Sequence, residues 1–270
     1  MQYEPIKKSL GKFFSRSLTL RKSLYFLMDL LLLRTWHVKR ALKKIARDLP
    51  QDSRILDAGS GLGQYTWRLS RINSHWRITA IDISNEQTAD SREFFRKSGL
   101  EGRVDLRILD LTCLADRNCY NLILCVDVME HIREDLQVFR NFYNALLPEG
   151  YILISTPSDK GGSDAHGEND ESFIDEHVRN GYSIEDMVSK LTAAGFDRIR
   201  ISYTYGKPGS LSWKLSMKYP VGLLNTSYLF FIILPFYYLV FFPVSLILNI
   251  FDLYLNHSSG TGLLVLARKK

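Results

Sequence analysis

Between residues 50 and 206 the chain alternates between short apolar runs and amphipathic segments with apolar residues at helical spacing. The short runs are rich in Ile, Leu and Val and have the length of β-strands. The sequence predicts strands at Arg54–Ala58, Arg77–Ile81, Val104–Ile108, Leu122–Val126, Tyr151–Ser155, Arg198–Tyr203 and, near the end of the chain, Gly262–Ala267. Such alternation predicts an α/β fold in which helices cover both faces of a mostly parallel sheet.

Several of the intervening helices have recognisable ends. Ser84 and Gln87 have the spacing of a capping box, and Gly99 is placed to close the same helix. Ser183 precedes another helical segment, and Gly195 follows it. These signals support the division of the chain into strands and helices.

An apolar segment interrupts this pattern before the last predicted strand. None of the 31 residues from Val221 to Phe251 is charged. Two full crossings of a bilayer would need roughly 40 apolar residues, so this segment is too short for a pair of spanning helices. A single crossing would put the strands before and after the segment on opposite sides of the membrane. It is excluded because both strands should belong to one sheet. Pro235 and Pro243 remove helical hydrogen bonds and are expected to break the segment. It should therefore dip into a membrane and return, or lie along the surface.

The charge is unevenly distributed. The whole chain of 270 residues has a net charge of +6, but residues 1–47 carry twelve Lys and Arg against two acids, which leaves the rest at −4. A basic arm indicates a polyanionic partner, either a membrane or nucleic acid. Its apolar helical faces are edged by cations and Trp36, as expected at an anionic headgroup layer. No base-reading module accompanies the cations, which argues against nucleic acid.

Alternatively, these amino-terminal helices only cap the domain, and the apolar segment is buried in a homodimer.

The three cysteines, Cys113, Cys119 and Cys125, form no CxxC pair. This spacing disfavours a disulfide framework and a zinc cluster and is typical of a reducing compartment. No cleavable signal peptide is expected, since Asp29 interrupts the apolar stretch Leu24–Leu33 and no small-residue cleavage site follows.

The stretch ILDAGSGLGQY, residues 55–65, has glycine at Gly59, Gly61 and Gly63, directly after a predicted strand. Glycine lets the backbone turn sharply and approach a ligand closely. A dinucleotide fingerprint would need its third glycine one residue later, where the chain has Gln64. Asp57 would repel a pyrophosphate but suits a ligand that carries an ammonium group.

Two further carboxylates end the next two strands. Asp82 follows the second strand, where a carboxylate can accept both hydroxyls of a ribose. Asp110 follows the third strand, in a position to meet an adenine edge. Together with the glycine loop they predict a nucleoside-containing ligand.

These motifs, together with AIDIS, LRILDL, YNLILCVDVMEHI and LLPEGYILISTPS, resemble the class I S-adenosylmethionine-dependent methyltransferases in order and spacing. The resemblance covers roughly residues 50–206 and 260–270. It implies a Rossmann-like seven-stranded sheet ending in an antiparallel hairpin, with S-adenosyl-L-methionine as cofactor. It further implies these cofactor-site residues: Asp57, Gly59, Ser60, Gly61 and Gly63 at the methionine part, Asp82 at the ribose with Ile83 next to it, Asp110 and Leu111 at the adenine, and Asp127 at the mouth of the methyl-transfer site.

Candidate catalytic residues follow the fourth and fifth strands. Glu130 and His131 lie directly behind Asp127, and histidine is the natural general base near neutral pH. His131 could instead only orient the first turn of its helix. His177, with Arg179 and Tyr182, resembles an H-x-R-x-x-Y/F element of some family members and could face the acceptor.

The polar segment between the fifth strand and Ser183 is long, contains glycine and is expected to form a lid over the substrate. Its side chains Asp164, His166, Glu168 and Asp170 have metal-ligand chemistry. Clustered acids in a loop are usually only solvated, so no metal is expected.

The sequence thus predicts three parts: a basic helical arm (1–49), an S-adenosylmethionine-binding methyltransferase domain (50–206 plus 260–270) and a hydrophobic membrane-associating insert (207–259). The favoured hypothesis is a peripheral or monotopic enzyme at the cytoplasmic face of a membrane that methylates a hydrophobic or lipid-linked acceptor. The alternatives are a soluble small-molecule methyltransferase that dimerises through the insert, and a non-catalytic membrane-associated protein that binds the cofactor. Oxygen, nitrogen and carbon all remain open as the acceptor atom.

Overall fold

The computed structural model describes residues 17–161, 178–226 and 230–270. Its centre is one seven-stranded sheet with the strand order β3-β2-β1-β4-β5-β7-β6. The strands are β1 (Arg54–Ala58), β2 (Arg77–Asp82), β3 (Val104–Ile108), β4 (Tyr120–Val126), β5 (Leu146–Pro157), β6 (Asp197–Thr204) and β7 (Gly262–Arg268). All seven predicted strands are therefore confirmed. β7 pairs antiparallel with both β5 and β6, which confirms the α/β class with its terminal antiparallel hairpin.

Nine α-helices within the described residues surround the sheet. They are α1 (Leu18–Leu31), α2 (Leu33–Ile45), α3 (Gln64–Ile72), α4 (Asn85–Lys97), α5 (Asp135–Ala145), α6 (Ile184–Ala194), α7 (Lys207–Trp213), α8 (Tyr219–Thr226) and α9 (Phe230–Tyr254). The predicted caps are present: the Ser84 hydroxyl accepts from the Gln87 amide, and the Ser183 hydroxyl accepts from the Asp186 amide. Gly195 closes α6 in the left-handed conformation.

Successive residues of each central strand point to opposite faces of the sheet, so both faces carry an apolar core. On one face Leu56, Ile123 and Ile154 pack with residues of α5 and α6. On the other, Ile55 and Leu124 pack with residues of α2, α3 and α4. A parallel sheet that is buried on both sides explains why its strands read as nearly continuous apolar runs.

The first two helices pack onto this domain. Val38, Leu42 and Ile45 of α2 are buried in the second core. Arg21 of α1 is also buried, and its guanidinium donates to the Leu62 carbonyl at 2.7 Å and to the Ser91 hydroxyl at 2.9 Å. Part of the basic arm is therefore engaged inside the protein.

The segment between β6 and β7 forms a helical hairpin. Its first arm is α7, a π-helical turn (Lys214–Lys218) and α8, and its second arm is α9. The arms are joined by hydrogen bonds from Ser212 to the Ser245 carbonyl at 3.0 Å and from Tyr237 to the Leu215 carbonyl at 2.8 Å.

The expectation that the prolines break this segment was wrong, since α9 continues through both Pro235 and Pro243. Each proline removes one backbone hydrogen bond, but the helix packs along the first arm and gains the interhelical bonds. Neighbouring helices and side-chain hydroxyls commonly compensate for proline in apolar helices. Ser245 donates such a bond to the Phe241 carbonyl at 2.9 Å.

Among the described residues, one helical segment, Ile232–Tyr254, is long and apolar enough to cross a membrane. Its mean hydropathy is 2.0, and only 11% of its most apolar 18-residue window is buried. The core helix of a soluble domain would be mostly buried, whereas many apolar side chains of α9, among them Ile232, Phe236 and Leu239, stay exposed on the side away from the first arm.

The sheet topology determines where the hairpin lies. β6 and β5 are both antiparallel to β7 and therefore run in the same direction. The end of β6 and the start of β7 consequently lie at the edge where β1 to β5 have their carboxyl ends. The hairpin leaves and rejoins the sheet at that edge.

A buried carboxylate fastens the base of the hairpin. Asp252 of α9 is fully buried and accepts from the amides of Tyr205 and Gly209 at 3.2 and 3.0 Å. It also pairs with His37 of α2 at 2.9 Å and His257 at 3.2 Å. One side chain thus connects α2, the end of β6, both arms of the hairpin and the segment that leads to β7.

Candidate functional site

The strand order reverses between β1 and β4, which lie side by side with Ala58 next to Cys125. In open α/β sheets, ligands bind beyond the carboxyl ends of the strands at such a reversal. The glycine loop follows β1 and the Asp127 segment follows β4, so both border this crevice.

The glycine loop has the backbone conformation that its composition predicts. Gly59, Gly61 and Gly63 have φ values of 77°, 51° and 80°, in the left-handed region that favours glycine. A Cβ at Gly59 would lie 2.2 Å from Cγ2 of Val128. The loop therefore packs directly against the segment after β4 and leaves backbone, not side chain, at the floor of the crevice.

Asp82 lies across from this loop and is partly exposed. Its Oδ2 accepts from the Gly61 amide at 2.7 Å and its Oδ1 from the Ser84 amide at 2.8 Å. These two bonds orient the carboxylate and leave further lone pairs for a ligand. The adjacent Ile83 exposes 72% of its surface, which provides an apolar contact beside the carboxylate.

Asp110 is exposed beyond β3 and caps a 3-10 turn, Leu111–Cys113, by accepting from the amide and hydroxyl of Thr112 at 2.8 Å each. Leu111 is buried beneath it. The Leu109 amide donates to the Asp82 carbonyl at 3.2 Å, which brings this turn next to the second strand end. The structure thus brings Asp82, Asp110 and the glycine loop to one edge.

Asp57 is buried under the loop, and its Oδ2 accepts from the Thr66 hydroxyl at 2.5 Å. Burial raises the pKa of Asp57 to about 7; the Thr66 hydrogen bond opposes this rise, and the charge of Asp82 adds to it. A carboxyl poised near neutrality beside a ligand crevice is typical of functional sites. Ser60, also in the loop, is buried, and its amide donates to the Ile81 carbonyl at 2.9 Å.

Asp127 has a left-handed φ of 52°, which is uncommon for a residue with a side chain. Its carboxylate forms an ion pair with Arg34 of α2. The Arg34 amide donates to the Tyr205 hydroxyl at 3.1 Å, so the arm and the end of β6 meet at this point. Sequence reasoning missed Arg34 and Tyr205 because neither belongs to a local motif.

The two candidate bases after β4 lie in different surroundings. Glu130 is buried, and its Oε2 accepts from the Thr156 hydroxyl at 3.1 Å. Burial raises the pKa of Glu130, while hydrogen bonds and the charges of His131 and Arg34 oppose the rise. His131 is exposed at the end of a 3-10 turn, Met129–His131.

The remaining predicted residues organise this turn or lie outside the described residues. Tyr182 is buried and donates its hydroxyl proton to Oδ2 of Asp135 at 2.8 Å, and the same hydroxyl lies 3.1 Å from the Met129 carbonyl. Arg179 also binds Asp135. Both side chains therefore hold the turn and α5 together. His177 lies outside the described residues, as do Asp164, His166, Glu168 and Asp170. Within the described ranges, no group of acids, histidines or cysteines has metal-site geometry.

The arrangement fits S-adenosylmethionine. The left-handed glycine backbone admits close approach, the carboxylate of Asp82 has free lone pairs for hydroxyl donors, and Ile83 offers an apolar surface to a base. The carboxylates of Asp82 and Asp110 border the crevice, which suits a cationic sulfonium ligand.

Comparisons with known proteins agree with this geometry. A family model described as a methyltransferase domain matches residues 49–199. The ubiquinone biosynthesis O-methyltransferase of Xanthomonas axonopodis pv. citri is 28% identical over 113 residues, which are 41% of this chain and 46% of that protein. Across the first curated relatives, the match spans less than half of each relative's length.

Two solved structures illustrate the shared fold. The phosphoethanolamine N-methyltransferase 2 of Haemonchus contortus, in complex with S-adenosyl-L-methionine, has a TM-score of 0.63 at 18% identity over 96% of this chain and 60% of that one. The [4+2]-cyclase SpnF has a TM-score of 0.57 at 20% identity over 85% of this chain and 80% of that one. At these identities the likeness concerns the fold alone.

Proposed function

Because the chain belongs to the methyltransferase domain family, whose cofactor is S-adenosylmethionine, we propose that it transfers a methyl group from this cofactor to a hydrophobic or lipid-linked acceptor at a membrane surface. The observation that carries the acceptor class is the uncovered apolar hairpin at the same sheet edge as the crevice.

The bound cofactor supplies an electrophilic methyl group on a sulfonium. The chain's contribution is mainly to align this group with the acceptor and to exclude water. The glycine loop and Asp57 would hold the methionine part, Asp82 the ribose, and Asp110 with Leu111 the adenine edge, while Ile83 would supply an apolar contact beside Asp82. Asp127 borders the transfer site. If the acceptor must lose a proton, the candidate bases are the exposed His131 and the buried Glu130.

The hairpin supports an acceptor drawn from a bilayer. α9 is 25 residues long, about 37 Å at the usual helical rise. Phe236 and Leu239 expose 69% and 76% of their surfaces, a costly arrangement in water for side chains of this size. Lipid contact would remove that surface from water at the site where the acceptor must enter.

Charge supports an anionic membrane surface. The first arm of the hairpin carries the exposed Lys207, Lys214 and Lys218. Lysines next to an apolar helix favour anionic headgroups, by about 1 kcal/mol each near the surface. We therefore place the enzyme at the cytoplasmic face, as a peripheral or monotopic protein.

The test uses purified protein, cofactor labelled on its methyl group and a total extract of the source cells. We expect label in the organic phase after extraction. Asp82→Ala should reduce this label by at least about 100-fold, because it removes a cofactor ligand and leaves the Gly61 and Ser84 amides without their acceptor. The matched control is Asp105→Ala, an exposed carboxylate of β3 that pairs with Arg107.

The other outcomes distinguish the remaining functions. Label confined to the aqueous phase would favour a soluble-acceptor methyltransferase, with the hairpin buried in a homodimer. A second candidate is a cofactor-binding protein that transfers no methyl group, and its supporting observation is that a [4+2]-cyclase shares this fold. Cofactor binding that Asp82→Ala abolishes, without label in either phase, would favour it.

A further inference from the structure

One helix connects the transfer site with the hairpin. Arg34, His37 and Arg40 follow each other at intervals of three along α2, so each is the surface neighbour of the next. Arg34 pairs with Asp127 at the crevice. His37 and Arg40 contact the base of the hairpin.

The contacts at the hairpin end come from the last turns of α9. His37 Nε2 lies 2.9 Å from Oδ1 of the buried Asp252. Arg40 donates to the Leu253 carbonyl, and its guanidinium carbon lies 4.5 Å from the centre of the Tyr254 ring. A change in the position of α9 therefore reaches α2 through three contacts.

The contacts at the crevice end act on a constrained segment. Asp127 is held in the left-handed conformation, and its amide donates to the Ser155 carbonyl at 2.8 Å. The next residue, Val128, packs on Gly59 of the cofactor loop so closely that a Cβ there would overlap it. The position of Arg34 is thereby linked to the shape of the loop that holds the cofactor.

We propose that Arg34 is a positioning residue of the methyl-transfer site, and that α2 transmits the state of the hairpin, free in water or bound to an anionic bilayer, to the Asp127 segment. This inference rests on the proposed function, since it requires that the hairpin bind lipid. A bilayer that immobilises α9 also immobilises α2, so the Arg34–Asp127 pair persists and the cofactor loop is ordered before the cofactor arrives. Binding to a site that is already ordered costs less conformational entropy.

The experiment measures cofactor affinity with and without lipid on the full chain. Vesicles of phosphatidylcholine with phosphatidylglycerol are added, and the dissociation constant of labelled S-adenosylmethionine is measured by equilibrium dialysis. Hydrogen–deuterium exchange of residues 126–131 is followed in parallel. For the wild type we expect affinity about fivefold tighter with vesicles, at the lower end of typical allosteric coupling, and slower exchange in this segment.

The link is cut at its hairpin end by the double substitution His37→Ala and Arg40→Ala. This variant should still float with vesicles, but the vesicle effect on affinity should fall below twofold. Lys43→Ala, an exposed cation on the same helix, should respond like the wild type. Arg34→Gln cuts the link at its other end in a partly exposed position, so it tests the inference even if the double variant does not fold. Arg34→Lys should restore part of the response.

The outcomes separate the two proposals. If the wild type does not float with vesicles, the membrane part of the proposed function fails and this inference fails with it. If it floats but its affinity and exchange do not change, or if Arg34→Gln retains the full vesicle effect, only this inference is overturned.

Discussion

Gly59 is subject to two constraints at once. Its φ of 77° is in a region where a side chain is strained, and a Cβ would lie 2.2 Å from Val128. Gly99, just after α4, has a similar φ of 69°, but apart from its two chain neighbours no residue comes within 4 Å of its Cβ position. The pair therefore separates backbone strain from steric overlap.

Gly59→Ala and Gly99→Ala should each lower the free energy of unfolding by roughly 1–2 kcal/mol, because an L-residue in the left-handed conformation costs that much. Gly59→Ala should lose a further 1 to 3 kcal/mol, on the order of other overpacked sites, because Val128 must move. It should also weaken cofactor binding, whereas Gly99→Ala should not. Urea unfolding and equilibrium dialysis measure the two effects. An equal loss of unfolding free energy in both variants would show that contact with Val128 does not affect stability.

The pKa of Asp57 is raised to about 7 from a usual 3.8, which predicts the direction in which stability and cofactor affinity change with pH. The folded apoprotein holds this proton more tightly than the unfolded chain, so the contribution of Asp57 to stability falls as pH rises from about 4 to about 7. A ligand with an ammonium group favours the ionised carboxylate. Cofactor affinity should therefore fall as pH decreases from 8 to 6, by up to about tenfold per pH unit below 7.

Asp57→Asn should remove this pH dependence, because the amide does not titrate. The dissociation constant of the cofactor is measured at several pH values for both proteins. If the dissociation constant of Asp57→Asn still changes with pH as in the wild type, the titrating group is not Asp57.

At the scale of elements, local patterns predicted the strands well. β5 is the largest departure: it was expected at Tyr151–Ser155 and extends over Leu146–Pro157. Leu146 joins the sheet opposite Tyr120 after a shift in register, and such pairing depends on the neighbouring strand, not on the local sequence. The continuity of α9 through Pro235 and Pro243 has the same origin, since contacts with the first arm compensate for the lost bonds.

The apolar surface of α9 carries a prediction of its own. The double substitution Phe236→Glu and Leu239→Glu should abolish co-flotation with anionic vesicles. Burial of such side chains is worth about 1.5–3 kcal/mol each, and a charge reverses the preference. The fold should be unaffected because both positions are exposed.

Val188→Glu is the control for this experiment, since Val188 is an exposed apolar residue on α6, outside the hairpin. It should float like the wild type. Flotation of the hairpin variant at wild-type levels would leave the homodimer interface as the better explanation of the exposed surface.

At the scale of the whole molecule, three segments distant in sequence meet at one edge of the sheet. Arg34 of the arm reaches Asp127 after β4, and its amide reaches Tyr205 after β6. Asp252 near the end of the hairpin reaches His37. The arm and the hairpin, each read from the sequence as a membrane-facing appendage, are thus tied to each other and to the crevice.

The sequence by itself determined the seven strands, the glycine loop, the carboxylates at the strand ends and the uncharged apolar segment. Each of these features depends on residues that are close in sequence, because their spacing determines backbone conformation and burial. Only the tertiary structure decided that Arg34 pairs with Asp127 and that Asp252 joins α2 to the hairpin. The reason is physical: a charged side chain pairs with whatever the fold brings within a few ångströms, and residues 93 and 215 positions apart leave no local pattern that records their contact.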